Sequence, residues 1–376
     1  MTQHYLFVLN VASKREMVTS MFSWMSRRRP LVGLDIGTSS VKAVQLQRAR
    51  QKYRLIALGM APVHPETIVD GVIMDAPAVS TAIRQIFEEN KIETKEVAVS
   101  VSGHSVIVKK IRVPQMKKPE LREGIAWEAE QHIPYAINDV NLDFQILEGT
   151  SSSDGEMDIL LVAVKKDTVN EYLGVVSAAG LKATVVDIDA FAIENALETS
   201  GDVKPGDVIA LVDIGASVTT INVVQGGVSE FTRDSPLAGN RYTDSLQKRL
   251  GLSHEQAEAL KMGSAVEGHD YAEAKPVIDT VSAELVGEIR QSVEFYTSSA
   301  PNRAIHRVVL SGGSAKLEGL ASSVSQALAL PVEIANPFRT IDADPRKFDP
   351  EYLAFIAPQM TVGVGLALRE PGDDER

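Results

Sequence analysis

The chain has 376 residues and no cysteine. A disulfide framework and a thiolate metal site are therefore excluded. Positive charge is also in deficit: the formal net charge is −12 at pH 7. Broad nucleic-acid binding needs a basic face, so that class is disfavoured. No apolar run reaches the ~18 residues that a membrane-spanning helix needs, and any membrane link is expected to run through a partner. His104, His132, His254 and His306 show no metal-ligand spacing, which argues against zinc. What is present is ordinary for a soluble globular protein, with 44% hydrophobic and 23% charged residues. The length calls for two domains or more.

Two copies of one short pattern stand out. The first runs Leu31-Val32-Gly33-Leu34-Asp35-Ile36-Gly37-Thr38-Ser39-Ser40, and the second runs Ile209-Ala210-Leu211-Val212-Asp213-Ile214-Gly215-Ala216-Ser217. Each reads as a buried strand ending in Asp, a tight turn with Gly two residues on, and a second strand. A later segment, Val308-Val309-Leu310-Ser311-Gly312-Gly313-Ser314, is again a strand running into glycines. Two Asp-Gly hairpins and one Gly-Gly turn fit a nucleotide held between two similar lobes. Glycine lets backbone N–H groups approach phosphate oxygens closely. Thr38, Ser39 and Ser40 add hydroxyls at the first turn, and Ser217 and Thr219 add them at the second. Asp35 and Asp213 would repel phosphate but suit Mg²⁺ or its waters, and Lys42 supplies a cation. A lone Asp-x-Gly is ordinary turn chemistry; the ordered set of three signals carries the reading.

These three segments resemble the two phosphate motifs and the adenosine motif of the actin-like ATPase superfamily. The stretch Leu34 to Lys42 is similar to the PilM family of type IV pilus assembly proteins. So are Trp127-Glu128-Ala129-Glu130-Gln131-His132-Ile133-Pro134, the following Leu142-Asp143-Phe144, and the ending Val362 to Arg369. The likeness covers roughly 30–370 and extends less closely to the cell-division protein FtsA. It implies an α/β fold, actin-like and ribonuclease-H-like, two-lobed, with an inserted subdomain. It implies ATP and Mg²⁺ as cofactors, with Asp35, Gly37, Thr38, Ser39, Ser40, Lys42, Asp213, Gly215, Ala216, Ser217, Gly312, Gly313 and Ser314 around them. Glu258 and Lys261, at i, i+3 spacing on one helix, occupy the place of residues that touch ribose and adenine; a surface ion pair is the alternative.

The resemblance further implies a scaffold that captures the cytoplasmic N-terminal tail of PilN. That link would join PilN, PilO and PilP to the pilus motor ATPases and the platform protein. Hydrolysis is expected to be slow, because Ala216 stands where many superfamily members have Gly. Resemblance to heat-shock chaperones puts Asp187 at the water-activating position, with Asp189 the neighbouring candidate or a helix N-cap. Asp187 is the preferred one. Different readings are a sugar-kinase-like phosphotransferase and an FtsA-like filament former.

The expected organisation is a basic N-terminal extension over 1–30, a first lobe over 31–112 and 340–376, an αββαβ insert over 113–187, and a second lobe over 188–339. A groove between first lobe and insert, walled by Val106, Val108, Ile125, Trp127 and Ile133, is the expected seat for a partner peptide.

Overall fold

The structure is a computed structural model that describes residues 30–49, 52–147, 155–201, 203–204, 206–300 and 303–371. The expected extension lies outside them except for Pro30. The turn expected at 151–155 lies outside them except for Gly155.

The first lobe opens with a meander. Strands β1 (Val32–Ile36), β2 (Ser40–Ala49) and β3 (Lys52–Pro62) pair antiparallel in chain order. β1 is buried along its whole length, as a central strand covered on both faces must be. A short hairpin, β4 (Ile68–Val69) and β5 (Val72–Ile73), leads to helix α1 (Ala76–Glu89). Asp75 caps α1 by accepting from the Ala78 N–H, and Pro77 stands in its first turn, both favourable at a helix start. Strand β6 (Glu96–Val101) then pairs parallel to β1.

The chain next leaves this sheet. Strand β7 (Val106–Pro114), helix α2 (Lys118–Glu130), and strands β8 (Val140–Ile146) and β9 (Glu156–Lys165) form a separate unit with strand order β7-β9-β8. Alternation splits β9. Ile159, Leu161 and Ala163 face α2, while Leu160, Val162 and Val164 join the core of the first lobe. Helix α3 (Lys166–Ala178) packs on α1, and strand β10 (Lys182–Ile188) pairs parallel to β6. The expected αββαβ insert over 113–187 is thus corrected. The detached unit is βαββ over 106–165, and α3 and β10 complete the first-lobe sheet. The sequence reading missed this because β10 finds its partner across a 60-residue excursion.

Helix α4 (Asp189–Thr199) crosses to the second lobe. Strands β11 (Val208–Ile214), β12 (Thr219–Gln225) and β13 (Val228–Ser235) form a second meander. Helices α5 (Gly239–Leu250), α6 (His254–Lys261) and α7 (Tyr271–Ser299) follow. Strand β14 (Arg307–Ser311) pairs parallel to β11, helix α8 (Leu320–Leu328) intervenes, and strand β15 (Val332–Ile334) pairs parallel to β14. The sheets read β3-β2-β1-β6-β10 and β13-β12-β11-β14-β15. They are the same arrangement twice: three antiparallel strands, then two parallel.

Helices α9 (Pro350–Ile356) and α10 (Thr361–Ala367) return to the first lobe, where Leu353, Ile356 and Val364 pack with Val44, Leu46 and Leu55. Between the lobes, α4 and α10 share one apolar core in which Ala192, Ile193, Val362 and Leu366 meet Leu31, Ile209, Leu211 and Val309. The two helices touch backbone to backbone: a Cβ on Gly365 would overlap the Ala192 carbonyl.

Candidate functional site

The two hairpin turns face each other across the cleft between lobes. Each is closed by the same bond: Gly37 N donates to the Ser40 carbonyl at 3.2 Å, and Gly215 N to the Val218 carbonyl at 3.0 Å. The tips touch, with Thr38 Oγ1 and Ser217 Oγ 2.7 Å apart. Ser39 points to solvent and Ala216 is half-buried.

Behind the tips lies a charged cluster. Lys42 Nζ donates to Asp35 Oδ2 at 2.9 Å, as the strand register dictates, because the two residues are cross-strand partners. Asp213 Oδ1 accepts from Ser311 Oγ at 2.6 Å. Asp189, at the start of α4, accepts from Ser100 Oγ at 2.5 Å, and the nearby Ser102 hydroxyl also lowers its pKa. Burial pushes Asp189 up to about 7, with Asp35 adding to the rise. Burial likewise pushes Asp213 up to about 6, offset in part by Ser311 and raised further by Asp35. Burial alone would lower Lys42, but Asp35, Asp213 and Asp189 together hold it above its ordinary value.

Three enclosed carboxylates against one ammonium leave two uncompensated negative charges when all are ionised. A divalent cation would discharge that imbalance, so the donor set fits Mg²⁺. Among the described residues no three acidic or histidine groups are close enough to ligate one ion together.

The Gly-Gly turn closes the far wall. Gly312 adopts φ +85°, and a Cβ there would strike the Ile214 carbonyl. Ser314 Oγ donates to the Gly215 carbonyl at 3.4 Å, and Gly312 N donates to the Pro358 carbonyl at 2.9 Å. The sequence reading missed the start of α5. Gly239 N and Asn240 N donate to the carbonyls of Gly215 and Ala216 at 3.0 and 2.7 Å, so this helix end fixes the second turn. A Gly-Asn pair opening a helix was the available signal.

Three expectations are displaced. Asp187 is fully buried and its Oδ2 is held by Arg369 Nε and Nη2 at 2.7 and 2.6 Å. It is committed to an ion pair behind the cleft, and the carboxylate in the cleft is Asp189. Asp187 lies within β10, whereas Asp189 is the first residue of α4, so the turn from strand to helix sends the two carboxylates to different places. Lys261 spends its donors on Gly239 O, Thr243 Oγ1 and Glu258 Oε1, and an ammonium has three. It braces α6 against α5, with Glu258 as its partner. Of the expected peptide-groove residues, Val106 and Val108 do pack against the first-lobe core. Ile125 and Ile133 lie inside the insert under α2. Trp127 is 73% exposed on α2, which covers the opposite face of the insert sheet.

The two duplicated lobes and their facing turns define an actin-like fold with its interlobe cleft. The model of the family described as type IV pilus assembly protein PilM matches residues 33–371, and the chain belongs to that family. A solved structure titled PilM-PilN type IV pilus biogenesis complex is similar at 30% identity with a TM-score of 0.83, covering 91% of this chain and 99% of that one. The cell division protein FtsA of Bacillus subtilis (strain 168) is 24% identical, covering 91% of this chain and 83% of its own length. The ethanolamine utilization protein EutJ from Carboxydothermus hydrogenoformans shares the fold, at 18% identity and a TM-score of 0.53 over 91% of this chain and 90% of that one. This assignment removes the sugar-kinase alternative. No helix among the described residues is long and apolar enough to cross a membrane.

Proposed function

We propose that the chain is a nucleotide-governed scaffold of the pilus machine. It binds ATP with Mg²⁺ between the two hairpins, turns it over slowly, and captures the N-terminal tail of PilN. The cluster of Asp35, Lys42, Asp189 and Asp213 at the touching turns carries the nucleotide reading. Bound Mg²⁺ would neutralise phosphate charge. The chain's own residues do the rest. Backbone N–H groups of both turns line the phosphate path, Lys42 offsets negative charge, and Asp189 holds and accepts a proton from an attacking water. A carboxyl near 7 is poised for that task, and the Ser100 hydroxyl fixes its orientation.

The tail reading is supported by the similarity to a PilM-PilN complex. β7 is an edge strand of the insert, so an extended segment can add to it through main-chain bonds. Val69, Val72 and Met74 of the first lobe are exposed and offer apolar contacts for such a segment. The chain would then sit at the cytoplasmic face of the inner membrane through PilN, with PilO, PilP and the motor reached indirectly.

Calorimetry with Mg-ATP and a pulldown with a PilN tail peptide test both halves. Met74→Asp is expected to weaken tail capture and leave ATP binding intact, whereas Trp127→Ala changes neither. Absence of tail binding by the wild type overturns the scaffold reading. Equal ATP binding by wild type, Asp35→Ala and Asp213→Ala overturns the site.

A further inference from the structure

Three consecutive residues between β6 and β7 touch three different parts of the molecule. The Ser102 hydroxyl neighbours Asp189 of the cleft and lowers its pKa. Gly103 N donates to Asp234 Oδ2 of the second lobe at 2.6 Å. The His104 carbonyl accepts from the Tyr135 hydroxyl of the insert at 2.8 Å. Asp234 is tied inward as well, for its Oδ1 accepts from Thr220 Oγ1 at 2.8 Å. Thr220 is the cross-strand partner of both Asp234 and Asp213. An unbroken line therefore runs from Asp213 through Thr220 and Asp234 to Gly103, and on through His104 to the insert. The short 3-10 turn 103–105 leads directly into β7, the strand proposed to receive the tail.

Next to this junction β7 of the insert meets β13 of the second lobe, and past that contact the two units diverge. A cleft of about 820 Å³ separates Val108, Lys110 and Arg112 from Phe231, Phe295 and Arg303. The insert therefore has room to move against the second lobe, and the junction sits at the edge of that room. Asp234 is largely enclosed, and burial raises its pKa while the bonds from Thr220 and Gly103 oppose the rise. Losing the Gly103 bond would leave a buried acid and a buried N–H less well satisfied, which makes a made-or-broken contact more favourable than a stretched one.

We propose that Ser102-Gly103-His104 couples the nucleotide cleft to the tail groove, with the Gly103–Asp234 bond as its latch. The inference rests on the proposed function and adds its regulation. Coupling between two sites must be reciprocal, so nucleotide changes tail affinity by the factor that tail changes nucleotide affinity.

The test is an anisotropy titration of a dye-labelled PilN tail peptide against the full chain, with and without Mg-ATP. Wild type should shift its tail Kd by ~5-fold or more on adding Mg-ATP. Asp234→Ala should reduce that shift below about 2-fold and keep its separate ATP affinity near wild type. Tyr135→Phe, which removes one hydroxyl from a half-buried ring, should reduce the shift without threatening folding, and Asp234→Asn should restore part of it. A full shift in both Asp234→Ala and Tyr135→Phe overturns the latch, as does a wild type that binds both ligands with no shift. A wild type that fails to bind ATP or tail overturns the proposed function, and the coupling with it.

Discussion

Opposite Asp35 across the first hairpin stands Lys42; opposite Asp213 across the second stands Thr220. The serine ending the neighbouring parallel strand also differs in its use. Ser311 donates to Asp213 of its own hairpin, whereas Ser100 donates to Asp189 at the start of α4. With Lys42 serving Asp35, Ser100 is left to hold a third carboxylate. The second lobe has no equivalent of that carboxylate. Beyond β15, Ala335 and Pro337 stand where Asp187 and Asp189 stand beyond the matching register of β10. One duplicated sheet has thus yielded a first lobe that brings the cation and the candidate base, and a second that brings a hydroxyl-supported acid. Asp187 adds a structural role to the first lobe through Arg369.

The largest effect should come from breaking that role. Asp187→Ala strands the Arg369 guanidinium in the interior, and removing one partner of a buried ion pair costs ~3–5 kcal/mol. Denaturant unfolding measures it. A loss below about 1 kcal/mol would show that the pair is as dispensable as an exposed one. Asp189→Asn should leave ATP affinity unchanged and slow steady-state phosphate release by ~100-fold or more, the usual worth of a positioned acid–base group. Undiminished release would return the role to another group.

The lobe comparison is sharpened by a matched pair at equivalent hairpin positions. Lys42→Met should weaken ATP binding by about 10- to 100-fold, the range for a charged hydrogen bond, while Thr220→Val should cost about 10-fold or less. Equal losses would mean that the lobes contribute alike. A further effect is in pH dependence. The folded pKa of Asp189 is raised to about 7, above an unfolded value near 3.9. A raised acid contributes stability that is fully present below the unfolded pKa and lost as pH rises through the folded one. Asp189→Asn removes this slope. Its melting temperature relative to wild type should therefore climb from pH 5 to pH 8 in nucleotide-free protein, and a flat difference would contradict the burial of Asp189.

Local chemistry was readable in the chain. Asp35 and Asp213 end buried strands just before Gly37 and Gly215, and Gly312 sits at φ +85°, which favours glycine, so short windows pointed to them. The two-lobed fold followed because the same window occurs twice. What depended on distant pairing was not readable. Asp187 and Asp189 differ by two residues, and what each carboxylate touches depended on Arg369, 182 residues after Asp187, and on Ser100 on β6. The assignment of β10 to the first-lobe sheet turned on its partner β6. Lys261 looked like a ligand contact because its destination, the Gly239 carbonyl, lies on another helix. Trp127 gave no local sign that its face of α2 is turned to solvent.

The central claim is that nucleotide and metal lie between the two hairpins. Crystals grown with ATP and Mn²⁺ in place of Mg²⁺ test it through the anomalous signal. The account predicts one strong peak in the cleft beside Asp35 and Asp213, with triphosphate density against the turns at Gly37 and Gly215. Nucleotide density elsewhere on the molecule, or a manganese peak remote from both aspartates, would contradict it.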